Sequence, residues 1–177
     1  MANTFLVSDT HFGHAGMCRF AASDGSKMRP WEDPAAMDEG LVAAWNAVVQ
    51  PGDKVYHLGD VAMARRHIAT IGRCNGTKIL IKGNHDLFDL ADYTPHFKDI
   101  RGSHVLAGML LTHIPVHPVS LERWGGNIHG HLHSERVMGA DGMPDPRYHC
   151  VSVEQTGFAP VALDVVLKQM SSREAVR

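Results

Sequence analysis

Eight side chains in this 177-residue chain have the types and spacing of a metal-ligand set: Asp9, His11, Asp60, Asn84, His85, His113, His131 and His133. In an extended chain, residues two apart point to the same side. Asp9 with His11, and His131 with His133, can therefore each present two donors to one point. A lone histidine in such a place is more often an ordinary hydrogen-bonding residue. Eight oxygen and nitrogen donors gathered at one edge are hard to satisfy without cations, and their number asks for two ions. Mixed imidazole, carboxylate and amide donors suit Mn, Fe, Co, Ni or Zn better than Mg or Ca. Two such cations acidify a shared water and offset charge that develops on a reacting oxygen, which is hydrolytic chemistry.

The element that must organise this set is the stretch from Lys78 to Asp86. There an apolar run, Ile79 to Ile81, opens into Gly83, Asn84, His85 and Asp86. A short strand apolar on both faces belongs inside an α/β sheet, and ligands of such sheets collect beyond the strand carboxyl ends. Other strands end the same way. Thr4 to Ser8 leads into Asp9, Lys54 to Leu58 into Gly59 and Asp60, Met109 to Thr112 into His113, and Asn127 to His129 into Gly130 and His131. Val105 opens a further short strand before Ala107 and Gly108, and Tyr148 to Val153 reads as another.

Between the strands, Asp33 followed by Pro34 is a helix start, and Met37, Leu41, Trp45 and Val48 repeat at helical spacing to about Val49. Val61 to Ile71 is compatible with a helix that turns Ile68 and Ile71 inward. Ala15 to Trp31 is a long loop with a short helix expected near Met17 to Ala22. Leu87 to Phe97 is expected to form a short helix and loop, and Val161 to Met170 a closing strand or helix. Pro115 and Pro118 lack the amide donor a central strand needs, which leaves 114–118 as a loop.

The length fits one domain over residues 1–177. The three cysteines, Cys18, Cys74 and Cys150, are odd in number and far apart, so they encode neither a disulfide framework nor a CxxC site. A formal charge of -2 and a pI near 6.7 give no global attraction to nucleic acid or anionic membrane. No apolar run approaches a membrane span, and Met1 to Asn3 lacks the basic start of a signal peptide, so a soluble cytoplasmic protein without membrane association is expected. The oligomeric state leaves no trace in the sequence.

Taken in order, Asp9-Thr10-His11, Gly59-Asp60, Gly83-Asn84-His85-Asp86, His113 and Gly130-His131-Leu132-His133 resemble the motifs of the calcineurin-like metallophosphoesterases: D-x-H, G-D, G-N-H-D/E, a later H, and G-H-x-H. The resemblance runs from residue 9 to residue 133. It implies an α/β fold in which a two-sheet β-sandwich is flanked by helices in four layers, with a dinuclear metal site at the strand carboxyl ends. It implies one ion held by Asp9, His11, Asp60 and His133, and a second held by Asp60, Asn84, His113 and His131. His85 is then the catalytic histidine, which serves the leaving oxygen. The implied cofactors are two divalent transition-metal ions, Mn foremost with Fe, Zn, Co or Ni as alternatives. The implied partner is a phosphate ester, monoester or diester, with nucleotides and nucleic-acid ends among the candidates.

In the protein serine/threonine phosphatase branch the second motif reads G-D-x-x-D-R-G. Here Asp60 is followed by Val61, Ala62, Met63, Ala64 and Arg65, which points away from that branch and toward the small bacterial and phage type. His14, Arg19, Arg29 and Arg65 are candidate contacts for a substrate phosphate. Asp86, His117 and His129 are candidates to support the ligands. Trp31, Trp45 and Trp124 are expected to pack. The alternative to an enzyme is a binding or scaffold module that retains the fold without turnover. The intact Asn84-His85 pair favours the enzyme.

Overall fold

The computed structural model describes residues 2–174. In chain order the strands are β1 (Thr4–Val7), β2 (Lys54–His57), β3 (Thr77–Ile81), β4 (Asp99–Arg101), β5 (His104–Leu106), β6 (Met109–Leu111), β7 (Asn127–His129), β8 (Tyr148–Cys150) and β9 (Val161–Ala162). The helices are α1 (Pro34–Val48), α2 (Leu90–Tyr93) and α3 (Leu163–Glu174). They form a mixed α/β architecture of two sheets flanked by helices. One sheet has the order β4-β3-β2-β1-β9 and the other β5-β6-β7-β8. Strands β1 to β4 run parallel, with β9 antiparallel at the edge. Strands β6 to β8 are also parallel, and β5 pairs antiparallel with β6.

Period-two alternation in β1 decides which core each side chain enters. Phe5 and Val7 face α1, where they meet Met37, Leu41 and Trp45, together with Ile68 and Ile71. Leu6 faces the other way, with Tyr56, Ile79 and Ile81, onto Leu111 and Ile128 of the second sheet and Val166 and Met170 of α3. Both faces of the first sheet are thus buried, which is why its strands are apolar throughout. Helix α1 starts where Asp33 Oδ1 accepts from Ala36 N at 2.9 Å, with Pro34 in the first turn. Trp45 Nε1 donates to Asn75 O at 3.0 Å and ties α1 to the turn before β3. The outer face of the second sheet is covered differently from the four-layer expectation. Leu110, Leu121 and Tyr148 cluster there beside the short 3-10 turn Pro118–Leu121 rather than under a long helix.

Several local expectations shift. Val61 and Ala62 stay extended because Phe12 N donates to Val61 O at 2.9 Å and Phe12 bridges Ala62. The helical segment therefore begins later, as a 3-10 helix over Arg65–Arg73 that buries Ile68 and Ile71. Residues 15–19 form turns rather than a helix, and Ala21 then pairs with Lys27 in an isolated bridge. Residues 161–170 contain both alternatives, a two-residue strand followed by α3. Strand β8 stops at Cys150, and Ser152 bridges Ser8 so that the two sheets join beside the end of β1. Among the described residues, no helix is long and apolar enough to cross a membrane.

Candidate metal centre

Five strand ends deliver their polar residues to one place, and the backbone there is unusual. Asp9 (φ 59°), His11 (48°), Asp60 (58°), His131 (71°) and His133 (52°) all occupy the left-handed region; among the described non-glycine residues only Ala107 and Phe158 do likewise. L-residues avoid this region at a cost of roughly 1–2 kcal/mol each. The surroundings must therefore over-determine it. Asp86 supplies part of that constraint, because Oδ2 accepts from Asp60 N (2.9 Å) and Gly83 N (2.8 Å), and Oδ1 from Val61 N (3.0 Å). A Cβ at Gly83 would collide with Asp60 Oδ1, so the β3 end approaches the β2 end only as glycine.

The carboxylates are aimed by their hydrogen bonds. Asp9 Oδ2 accepts from Ser152 Oγ at 2.7 Å and from His131 N at 3.0 Å, while Asp9 Oδ1 is buried without a partner. Asp60 Oδ1 accepts from His85 N at 2.9 Å. Its other oxygen, Oδ2, lies 3.6 Å from His11 Nε2 and 3.3 Å from His113 Nε2. His113 Nδ1 donates to Leu58 O at 2.7 Å, which leaves Nε2 facing the centre, 2.8 Å from Asn84 Oδ1. His133 Nδ1 lies 3.1 Å from Glu154 Oε1. Both nitrogens of His11 are buried without a partner, and its ring stacks on His133 at 5.2 Å. His131 stands edge-on to His113 at 5.2 Å.

These donors fit a divalent cation. Asp9, His11 and His133 form one group whose ligand atoms lie within 4.8 Å of one another, and Asp9, Asp60 and His113 form another. The unpartnered Asp9 Oδ1 and one of the two His11 nitrogens are buried polar atoms a cation would satisfy. Asp9 belongs to both groups, and Asp60 Oδ2 also faces both halves, so each carboxylate reaches across the centre.

Electrostatics point the same way. Burial alone would raise the Asp60 pKa, but the bond and charge of His113, the His85 amide and the charge of His11 overcome it and bring it to about 2. Burial raises Asp9 above its ordinary value against the pull of His133 and His113. Burial also holds His11 well below the usual imidazole range. His113 and His133 are opposed by burial too, yet Asp60 and Asp9 for the first, and Glu154 and Asp9 for the second, raise them. The carboxylates thus favour positive charge at His113 and His133, the charge a cation would supply there.

The chain is 30% identical to the uncharacterized protein MJ1445 of Methanocaldococcus jannaschii, in an alignment of 185 residues that covers 100% of this chain and 96% of the relative. It belongs to the family of that protein. The chain is also similar to the Gene 66 protein of Mycobacterium phage L5, 33% identical over 91 residues, which cover 49% of this chain and 41% of the phage protein. Among solved structures, the protein of unknown function AQ665 from Aquifex aeolicus shares the fold, with a TM-score of 0.65, 22% identity, and coverage of 95% of this chain and 99% of that one. A structure described as a novel archaeal phosphodiesterase aligns with a TM-score of 0.45 at 20% identity, covering 85% of this chain and 82% of that one. No protein-family model matches the chain.

The remaining residues singled out in the sequence fall in different places. His85 and Asn84 are exposed at the mouth, with the His85 ring 5.7 Å from that of His11. His14 is nearby, 5.8 Å from His11, and its Nδ1 accepts from Met17 N at 3.0 Å. Arg19 is exposed. Arg65 is paired with Asp89 and Asp92, both at 3.2 Å, and lies over the Phe88 ring. Arg29 is a correction. It is fully buried, with every nitrogen engaged by Asp9 O, Thr10 O or Glu154, so it offers nothing to a substrate. Asp86 supports the centre as described. His129 is buried with Nδ1 on Gly130 O, and His117 caps the 3-10 turn Pro118–Leu121 instead. Trp31 packs on Phe158, and Trp45 and Trp124 join hydrophobic clusters.

Ser152, Glu154 and His57 escaped the sequence reading. Ser152 is 143 positions from Asp9, and no spacing rule connects them. His57 did leave a signal, as a polar residue following Val55 and Tyr56 in the buried part of β2. Its Nδ1 accepts from Gly59 N at 3.2 Å, and its Nε2 donates at 3.0 Å to Thr10 Oγ1, which in turn donates to Val61 O.

Proposed function

We propose that this chain is a metal-dependent phosphoesterase of the calcineurin-like type, hydrolysing phosphodiesters, phosphomonoesters or both with two divalent transition-metal ions, Mn foremost. The observation that carries this proposal is the single Asp60 oxygen facing both His11 and His113, beside the unpartnered Asp9 Oδ1 and His11 nitrogens. In this proposal Asp9, His11, Asp60 and His133 hold one ion, and Asp60, Asn84, His113 and His131 the other. When bound, such a pair acidifies water and neutralises charge on phosphate oxygens.

The chain's own residues do the rest. Asn84 offers a neutral oxygen, which leaves more of the cation charge for the phosphate. His85, fixed through its backbone amide to Asp60 and exposed at the mouth, donates a proton to the departing ester oxygen. His14, whose ring is 5.8 Å from that of His11, and the exposed Arg19 are the candidate contacts for a phosphate oxygen. An open groove of about 350 Å³ leads away between Lys82, Asn84, His113 and Ile114, with room for a substituent beyond the phosphate. That supports diesters, nucleotides or nucleic-acid ends over a small enclosed metabolite.

The test is hydrolysis of bis-p-nitrophenyl phosphate and p-nitrophenyl phosphate by Mn-loaded protein, with metal content measured on the same sample. Two ions per chain and turnover of at least one ester are expected. A fully loaded protein inert toward both would leave a binding module.

A further inference from the structure

Arg29 and Glu154 are opposite charges almost sealed from water, with side chains 0% and 3% exposed. Glu154 Oε1 accepts from Arg29 Nε at 2.8 Å and lies 2.7 Å from Nη2. The guanidinium also donates to the carbonyls of Asp9, from Nη2 at 2.6 Å, and Thr10, from Nη1 at 2.8 Å. Those carbonyls belong to the left-handed turn that carries Asp9 and His11. On its other side Glu154 Oε1 receives His133 Nδ1 at 3.1 Å. One buried pair therefore grips the carbonyls of Asp9 and Thr10, just before His11, and the ring of His133, all within the ligand group of Asp9, His11 and His133. Among the described residues, no hydrogen bond joins the pair to Asn84, His113 or His131.

A buried ion pair contributes little stability beyond what an apolar pair of the same size would provide, so its presence calls for another role. We propose that Arg29 and Glu154 are positioning residues for the ion shared by Asp9, His11 and His133, and that Glu154, which acts through His133 and not through Asp9, serves that ion only. Arg29 holds the backbone turn by its two carbonyls. Glu154 occupies His133 Nδ1, which leaves Nε2 for the ion. Together the two side chains are neutral, so the guanidinium does not repel a neighbouring cation. The inference rests on the metal-binding part of the proposed function and not on hydrolysis.

The experiment is Mn titration by calorimetry, with Mn electron paramagnetic resonance, on the whole chain and on Glu154→Gln and Glu154→Asp. Glutamine keeps the shape and leaves Arg29 uncompensated. Aspartate keeps the charge and withdraws from His133. The wild type is expected to bind two ions and give an exchange-coupled spectrum. Each variant should bind one ion as the wild type does and the other about 10–100-fold more weakly, with a single-ion spectrum at limiting Mn. Circular dichroism establishes folding, and if Glu154→Gln does not fold, Glu154→Asp decides. Unchanged binding in a folded variant, equal weakening of both ions, or fewer than two ions in the wild type overturns the inference. A wild type that binds two ions yet cleaves no phosphate ester overturns the phosphoesterase proposal alone, and the variants still decide this one.

Discussion

Asp86 holds Asp60 by its backbone, accepting the Asp60 amide at 2.9 Å while it also takes the amides of Val61 and Gly83. The β2 and β3 ends are thereby fixed to each other through one buried carboxylate. Asp86→Ala strands the buried amides of Asp60 and Val61 and the half-buried amide of Gly83, each worth about 1 kcal/mol. Urea unfolding should show a loss of about 3 kcal/mol, and Mn binding should weaken. A loss below about 1 kcal/mol with unchanged Mn binding would mean that the two turns are held by something else.

Asp60 Oδ2 faces a histidine from each half of the centre. Asp60→Asn should therefore lower the occupancy of both ions together and abolish ester hydrolysis. Metal analysis after Mn loading and desalting measures this directly. Loss of one ion with surviving turnover would remove Asp60 from the shared role.

His85 touches the centre through its backbone amide, and its side chain lies exposed at the mouth. His85→Ala should keep both ions and lose rate mainly on alkyl esters, because p-nitrophenolate departs without a proton and general acid help is worth about 10² to 10⁴. His113→Ala should lose metal first. Equal rate losses on alkyl and nitrophenyl esters, with an ion missing in His85→Ala, would make His85 a ligand.

His57 predicts an acid dependence of stability. Burial pushes its pKa from 6.5 down to about 3, because the folded chain keeps the ring neutral between Thr10 and Gly59. Below pH 6.5 the unfolded chain takes up a proton that the folded chain refuses. Stability from this residue is thus complete above the unfolded value and declines as pH falls toward about 3. The slope is about 1.4 kcal/mol per pH unit. Urea titrations at pH 7, 6 and 5 should show a shallower decline in His57→Gln than in the wild type. Parallel curves would show that His57 is not the group responsible.

The part of the centre that could be foreseen was the part written locally. Asp9 with His11 and His131 with His133 are two positions apart, and Gly83 to Asp86 are contiguous, so a strand-end rule finds them. Helix α1 was equally legible from Asp33, Pro34 and its apolar repeat. What could not be foreseen depends on distant partners. Arg29 has the sequence context of a surface cation, and it is buried because Glu154, 125 positions later, neutralises it. Ser152 and Glu154 aim Asp9 and His133 without any spacing signal. The left-handed backbone was also invisible, since aspartate and histidine at those positions do not announce it as glycine would.

That backbone sets the fold and the centre against each other over evolutionary time. At Asp9, His11, Asp60, His131 and His133 the local conformation favours glycine, so replacing a donor would relax the chain at the same stroke that removes a ligand. For the metal-free protein, drift toward an emptier, glycine-rich pocket runs downhill at these positions. A lineage with no use for these side chains should lose them before it loses its sheets.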